Sequence, residues 1–289
     1  MSGPIPEWVV TVSAAITVLT VMFGLGLAIS PADLHWIWRR PGPMLRGLLA
    51  VLVAVPVLAL GITRFLELPR LAEIGIVLMA ISPGAPVALL RSVAAGGHRA
   101  FASSLQIAAV MLAVVSMPLT IAALDQLYEG AASITPWEVA RQVFLAQLAP
   151  LGLGFALRHA SAPVAARLQP RLKRIGTVLL FVTVLIVLID VWETTVTAGF
   201  RVLTAIALIT CAALAVGHFL GGPEPAMRTA VAITSAARNT GLALLVAALN
   251  AAPPAIDGTI LAYLVVSALA IAPYSAWRRA STRTSCLGR

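Results

Sequence analysis

The sequence predicts an all-α polytopic membrane protein with nine transmembrane helices, two of them broken. Three observations carry this. The 289 residues are 60% hydrophobic and 11% charged, whereas a soluble domain carries about 25% charged residues, and one aqueous core could not bury so much apolar surface. The apolar residues gather into runs near the roughly 20 residues that a bilayer crossing requires. The basic residues fall between those runs, with a strong bias to one side. The net charge of +9 is thus an orientation signal, and the sequence implies a lipid bilayer and no nucleic acid as its surroundings.

The runs lie at about 8–29, 44–64, 70–95, 99–124, 136–157, 172–191, 200–220, 226–250 and 255–277. The first has no basic segment before it and no clear cleavage site, so it reads as a mature helix rather than a signal peptide. The loop Pro31–Arg40 follows, with Trp36, Trp38, Arg39 and Arg40 suited to the headgroup zone. The third run is interrupted by Ser82-Pro83-Gly84-Ala85-Pro86, and the eighth carries Arg238-Asn239-Thr240 near its middle. A basic loop over 158–174, containing Pro163 and Pro170, separates the fifth run from the sixth, and Asn250, Pro253, Pro254 and Asp257 read as a turn before the ninth.

With the N-terminus outside, the inner segments hold Arg39, Arg40, Arg46, Arg99, Arg158, Arg167, Arg171, Lys173, Arg174, Arg228, Arg278, Arg279, Arg283 and Arg289, and the outer ends hold only Arg64, Arg70, Arg141 and Arg201. That asymmetry places the C-terminus in the cytoplasm and requires an odd number of crossings, in an inner membrane. The acidic residues run the other way, with only Asp33 and Glu224 inside.

The chain does not read as an enzyme. It has no Gly-x-Ser-x-Gly elbow, no His-Glu-x-x-His and no phosphate loop. His35, His98, His159 and His218 fall near inner span ends without the spacing of a metal cage. Cys211 and Cys286 exclude a disulfide framework, and no cofactor or obligate protein partner is implied.

The two marked runs carry the chemistry. Proline and glycine free backbone groups from the helix ladder, and in hydrocarbon such groups persist only where protein or a water-filled cavity meets them. Interrupted spans in matching positions of two chain halves point to a transporter binding site. Pro86 suits the first position of a new half-helix, whose N-terminal dipole favours an anion. Arg238 is either satisfied by carbonyls of a broken helix or presents a fixed positive charge to a cavity.

Met22-Phe-Gly-Leu-Gly-Leu, Asp33-Leu, Arg40-Pro41, Ser82-Pro83-Gly84 and Asn239-Thr240-Gly241-Leu242-Ala243 follow one another in an order that resembles the bile acid:sodium symporter family, as a bacterial nine-helix member with divergent sodium sites. The resemblance implies an inverted-repeat fold with two broken helices crossing near the midplane. It also implies a core bundle over about 44–124 and 200–277, and a panel bundle over about 8–43 and 125–199. The family's sodium-ligand positions fall at Val51, Ala88, Leu89, Ala102, Gln106, Thr234 and Arg238, where oxygen donors are mostly absent; a hard cation wants several of them, preferably with a carboxylate. The expected site is Arg238, Asn239, Thr240, Thr234, Ser82, Pro83, Gly84, Pro86 and Gln106, and the expected ligand a small organic anion moved by alternating access, with sodium a possible but poorly supported co-substrate. A non-transporting receptor on the same fold and a proton-coupled or uncoupled facilitator are the alternatives.

Overall fold

The computed structural model describes residues 6–30, 36, 38–127, 135–190 and 199–287. Asp33 and His35 of the first loop, Glu129 and Glu193 lie outside the described residues.

The described residues form helices and short connections, with no strand. In chain order they are α1 (Glu7–Ala28), α2 (Pro41–Leu49), α3 (Val55–Phe65), α4 (Arg70–Ala80), α5 (Pro86–Ala94), α6 (Arg99–Leu127), α7 (Pro136–Val143), α8 (Ala149–Ala160), α9 (Ala162–Asp190), α10 (Gly199–Leu220), α11 (Pro225–Ala236), α12 (Thr240–Leu249) and α13 (Pro254–Leu287). A five-residue π-helical turn joins α2 to α3 (Ala50–Ala54), and another joins α7 to α8 (Phe144–Leu148).

Among the described residues, eight helical stretches are long and apolar enough to cross a bilayer: Trp8–Ala28, Pro41–Phe65, Arg99–Leu124, Pro136–Ala160, Ala162–Ile189, Gly199–Leu220, Pro225–Leu249 and Pro254–Ser281. The remaining expected run, 70–95, is broken into α4 of 11 residues and α5 of 9, each short of a crossing; Pro225–Leu249 is interrupted as well, at residues 237–239. The basic loop expected over 158–174 is a correction. Only Ser161 interrupts the helices there, and α9 begins at Ala162, ten residues before the apolar run. Pro163 falls in the first turn of α9, where its missing N–H leaves no bond unmade, and the Arg, Leu and Gln residues that follow are good helix formers.

Both π-helical turns have a local cause. Pro56 and Pro150 stand two residues after the turns end, and proline has no N–H to give and crowds the carbonyl four residues back. One wider turn carries the backbone past the clash: the Val55 N–H reaches Ala50 O and the Ala149 N–H reaches Phe144 O, each five residues back. Proline alone does not dictate this, since Pro118, Pro170 and Pro273 lie within continuous helices.

The chain forms two compact units. The first comprises the described parts of Met1–Ser30, Val110–Thr197 and Thr240–Leu261. Its centre is α1, packed on α8 and α9. Gly26 faces the backbone of Leu151, Gly154 and Phe155, and Gly154 faces that of Phe23, Gly26 and Leu27. Small residues permit this approach, and in lipid close van der Waals packing is a main source of helix association. The α8 helix runs the same way as α1: one turn beyond Gly154, Arg158 Nη1 donates to Leu27 O at 2.9 Å, and α8 turns at Ser161 into α9, which is antiparallel to α1. The α9 helix runs opposite to α1: Gly24 meets Leu172, Gly176 meets Val21, and the Thr17 and Thr183 hydroxyls are 2.8 Å apart.

The second unit comprises the described parts of Pro31–Ala109, Ala198–Asn239 and Ala262–Arg289. Met44, Ala50, Phe101, Leu105, Met227 and Val231 form its core, with Trp36 and Leu48 packed against it. Gly217 lies on the backbone of Ala232, and Gly221 on that of Arg228, which makes α10 and α11 a tight antiparallel pair. One end of this unit is basic: Arg40 pairs with Glu224, Arg228 Nε donates to Gly222 O, and Arg278 donates to Thr229 Oγ1 at 2.7 Å and to Pro225 O at 2.9 Å. His98 caps α6 there, its Nδ1 accepting from the Phe101 N–H at 3.2 Å, and its ring packs on Trp36.

Candidate functional site

The site lies in the second unit, where the two interrupted spans meet. After α4 the ladder gives out in steps. The Ile81 N–H still reaches Val77 O at 2.9 Å and the Ser82 N–H reaches Met79 O at 3.1 Å, while the Ser82 hydroxyl donates to Leu78 O at 2.7 Å. Pro83 has no donor, and Gly84 adopts φ +83°, a left-handed conformation that an L side chain resists. Pro86 then opens α5. A helical donor for the Ser82 carbonyl would be the N–H of residue 86, which is proline and has none.

The second interrupted span supplies that donor. The α11 helix ends at Ala236, Ala237 is extended (φ −83°, ψ 116°), and α12 begins at Thr240. The Asn239 N–H donates to Ser82 O at 2.9 Å. The expected second break is therefore present, and the two breaks are joined main chain to main chain. Residues 81–85 and 237–239 are all buried.

Arg238 supplies the next bond. Its Nη1 and Nη2 both donate to Val51 O at 3.0 Å. Val51 lies in the π-helical turn: the Val55 N–H has gone to Ala50 O, and residue 56 is proline. The turn thus leaves Val51 O open to an outside donor, and the guanidinium fork fills it. Gln106 Nε2 makes a long 3.5 Å contact with Gly84 O. Three carbonyls released by proline-marked backbone are met by three donors from other elements.

The remaining expected residues divide. Thr234 lies on the last turn of α11, 2% exposed, and its hydroxyl has no hydrogen-bond partner; Ser235 beside it is the same at 0%. Several other helical hydroxyls of this unit, those of Ser104, Thr210, Thr229 and Ser275, donate to the carbonyl four residues back. Thr240 belongs to the first unit, where its hydroxyl is buried without a partner. Pro83 and Pro86 act through the backbone.

Sequence reasoning named Val51 only as a side-chain position; its carbonyl is what takes part, and the proline five residues after it was its trace. Tyr263 of α13, in the middle of an apolar run, is fully buried beside Thr210.

These residues do not fit a sodium ion. Ala88 and Ala102, at two implied ligand positions, are methyl groups buried to 0% exposure, and at a third the Arg238 guanidinium already occupies the carbonyl it faces. Among the described residues no three His, Cys, Asp or Glu side chains gather as a metal cage.

The fold and site define a polytopic helical membrane protein built around two broken helices held to one another through freed carbonyls. The chain belongs to the sodium bile acid symporter family, whose model, described as "Sodium Bile acid symporter family", matches residues 15–198. The matched span includes the first break and ends before the second. A relative, the "Uncharacterized sodium-dependent transporter YocS" of Bacillus subtilis (strain 168), is 28% identical over 118 residues, which is 40% of this chain and 37% of that protein. The chain thus matches well under half the length of this curated relative.

Proposed function

We propose that the protein is a secondary transporter that moves a small organic anion by alternating access and does not use sodium sites of the family type. The observation that carries this is the Arg238–Val51 contact, which puts a permanent cation where the resemblance implies a sodium ion. A guanidinium stays protonated and offers donors in a planar fork. It neutralises carbonyl dipoles as a bound cation would, and it leaves positive potential for an anion. Thr234 in place of a bridging carboxylate fits the same change, since a fixed cation removes the need for an acidic ligand.

The moving parts of this reading are a core, about 44–124 and 200–277, and a panel, about 8–43 and 125–199. Its topology has nine crossings with the N-terminus outside an inner membrane. Two observations support it. The parallel course of α1 and α8 requires an odd number of crossings between them, which holds when the broken run 70–95 crosses along with the runs before and after it. The basic end formed by Arg40, Arg228 and Arg278 gathers residues that charge asymmetry assigns to the inner face.

The test is flux of organic anions into proteoliposomes, with sodium replaced by choline. Uptake unchanged by the replacement, and reduced at least tenfold in Arg238→Gln, is the expected result. Uptake that needs sodium and ignores substrate charge rejects the reading.

A further inference from the structure

We propose that the basic end of the second unit is a binding site for one anionic phospholipid, whose phosphate lies between the Arg46 and Arg228 guanidinium groups and whose acyl chains run along α2 past Leu45 and Leu49. The inference rests on the chain's being a helical membrane protein, and it does not require that the protein transport anything.

Contacts from three elements converge on one short segment, 222–229. Arg40, just before α2, pairs with Glu224, just before α11. Arg228 Nε donates to Gly222 O. From α13, Arg278 donates to Thr229 Oγ1 at 2.7 Å and to Pro225 O at 2.9 Å. Arg46 of α2 lies over Gly222: a methyl built on that glycine would stand 3.2 Å from Arg46 Nη2. Glycine at φ +83° leaves that space to the guanidinium.

Four arginines thus gather around one carboxylate, Glu224, which Arg40 already engages. The unit's other described acids, Glu67 and Glu73, lie where α3 turns into α4. Arg46 is exposed and makes no hydrogen bond or ion pair among the described residues, and Arg228 commits only Nε. Two guanidinium groups drawn to the same glycine repel one another. A phosphate diester between them replaces that repulsion with charge-assisted contacts, to which the planar fork of arginine is well matched.

The neighbours select a lipid over a soluble anion. Leu45 adjoins Arg46 and Leu49 lies one turn further along α2, both exposed, while Phe219 and Trp277 stand exposed near the same end of α10 and α13. Tryptophan suits the headgroup level of a bilayer. A soluble anion gains nothing from these apolar side chains, whereas a phospholipid sets its phosphate among the arginines and its chains against the leucines. The lipid joins α2 to the start of α11, the two elements that lead to Val51 O and Arg238, and so braces the crossing from its outer edge.

The experiment follows the unfolding temperature of the purified full-length protein in an uncharged detergent as dioleoyl phosphatidylglycerol is added, with dioleoyl phosphatidylcholine and inorganic phosphate in separate arms. A saturable rise with phosphatidylglycerol, absent with phosphatidylcholine, is expected, as mass action requires of a ligand that binds the folded state. Arg46→Ala should raise the half-saturating lipid by about fivefold, the weight of one basic residue at an anionic surface. Arg171→Ala, which removes an exposed arginine of α9 in the first unit, should leave it unchanged. Glu224→Gln releases Arg40 and should lower it; if Arg46→Ala does not fold, this variant decides. An equal response to the two lipids, an equal loss in Arg46→Ala and Arg171→Ala, or no gain in Glu224→Gln overturns the proposal. A rise with inorganic phosphate alone overturns it too, since that marks a site for soluble anions.

Discussion

At the scale of residues, the Arg238 and Gln106 side chains, the Asn239 N–H and one glycine decide how the two breaks are held. Arg238 at the middle of a bilayer span is disfavoured by about 2.5–3.5 kcal/mol on insertion scales, and two charge-assisted bonds to Val51 O offset part of that, since bonds to charged groups contribute about 1.5–3 kcal/mol. Gly84 at φ +83° is the other pivot. Gly84→Ala should destabilise the protein by about 1–2 kcal/mol, the strain of a left-handed alanine, read as a lower unfolding temperature in detergent; an unchanged temperature would show that the break does not depend on that conformation. Arg238, Asn239, Ser82, Gly84 and Gln106 were all legible in the sequence, because proline, glycine and isolated polar residues stand out against an apolar run. The Val51 carbonyl was not, because a backbone oxygen within such a run carries no mark until its neighbours are known.

At the scale of elements, the prolines act as a coordinated set. Pro56 and Pro86 each remove a donor, and the carbonyl each releases is taken by the same short segment, Arg238 and Asn239. Pro56→Ala should return a donor to the α2–α3 run and let Val51 O find a partner in its own helix. The stability loss of Arg238→Gln should then shrink by about 1 kcal/mol in the Pro56→Ala background, the size of a coupling between contacting residues; additive losses would show that Val51 O is not released by the proline. A second prediction concerns the α10–α11 pair. A methyl at Gly217 would lie 2.6 Å from Ala232 Cα, so Gly217→Val should cost about 1–3 kcal/mol by overpacking, whereas Gly61→Val, with nothing within 4 Å, should not. The broken helices were legible as elements. The π-helical turns and the extension of α9 to Ala162 were not, since apolar runs mark the bilayer and not the helix ends.

At the scale of the whole chain, charge asymmetry and helix direction make a joint prediction. Ser2→Cys and Ser285→Cys, each in a background lacking Cys211 and Cys286, should be labelled by a membrane-impermeant thiol reagent from opposite sides of intact cells. Labelling of both from the same side would remove one crossing, and the run 70–95 would be the first suspect. The nine-crossing topology read from the sequence already sends the first and fifth runs the same way, but their pairing was not legible: Gly26 and Gly154 meet backbone to backbone, a contact between residues 128 positions apart that no local pattern announces.

The freed carbonyls also bear on how the protein is made. Val51, Ser82 and Gly84 are synthesised early; Arg238 and Asn239 emerge more than 150 residues later, on the order of ten to forty seconds at ordinary rates of translation. Until then Val51 O and Ser82 O lack their final donors in a medium that offers no water. The first two-thirds of the chain can thread the membrane, but it cannot close its own centre. The stretch Pro225–Leu249, the most completely buried of the crossing helices, then arrives as the piece that the earlier helices have been left open to receive. A nascent chain halted before residue 225 should remain accessible to membrane proteases along Leu49–Ala59 and Ala80–Pro86, and the same segments should become resistant once residues 225–249 are supplied, even as a separately expressed fragment.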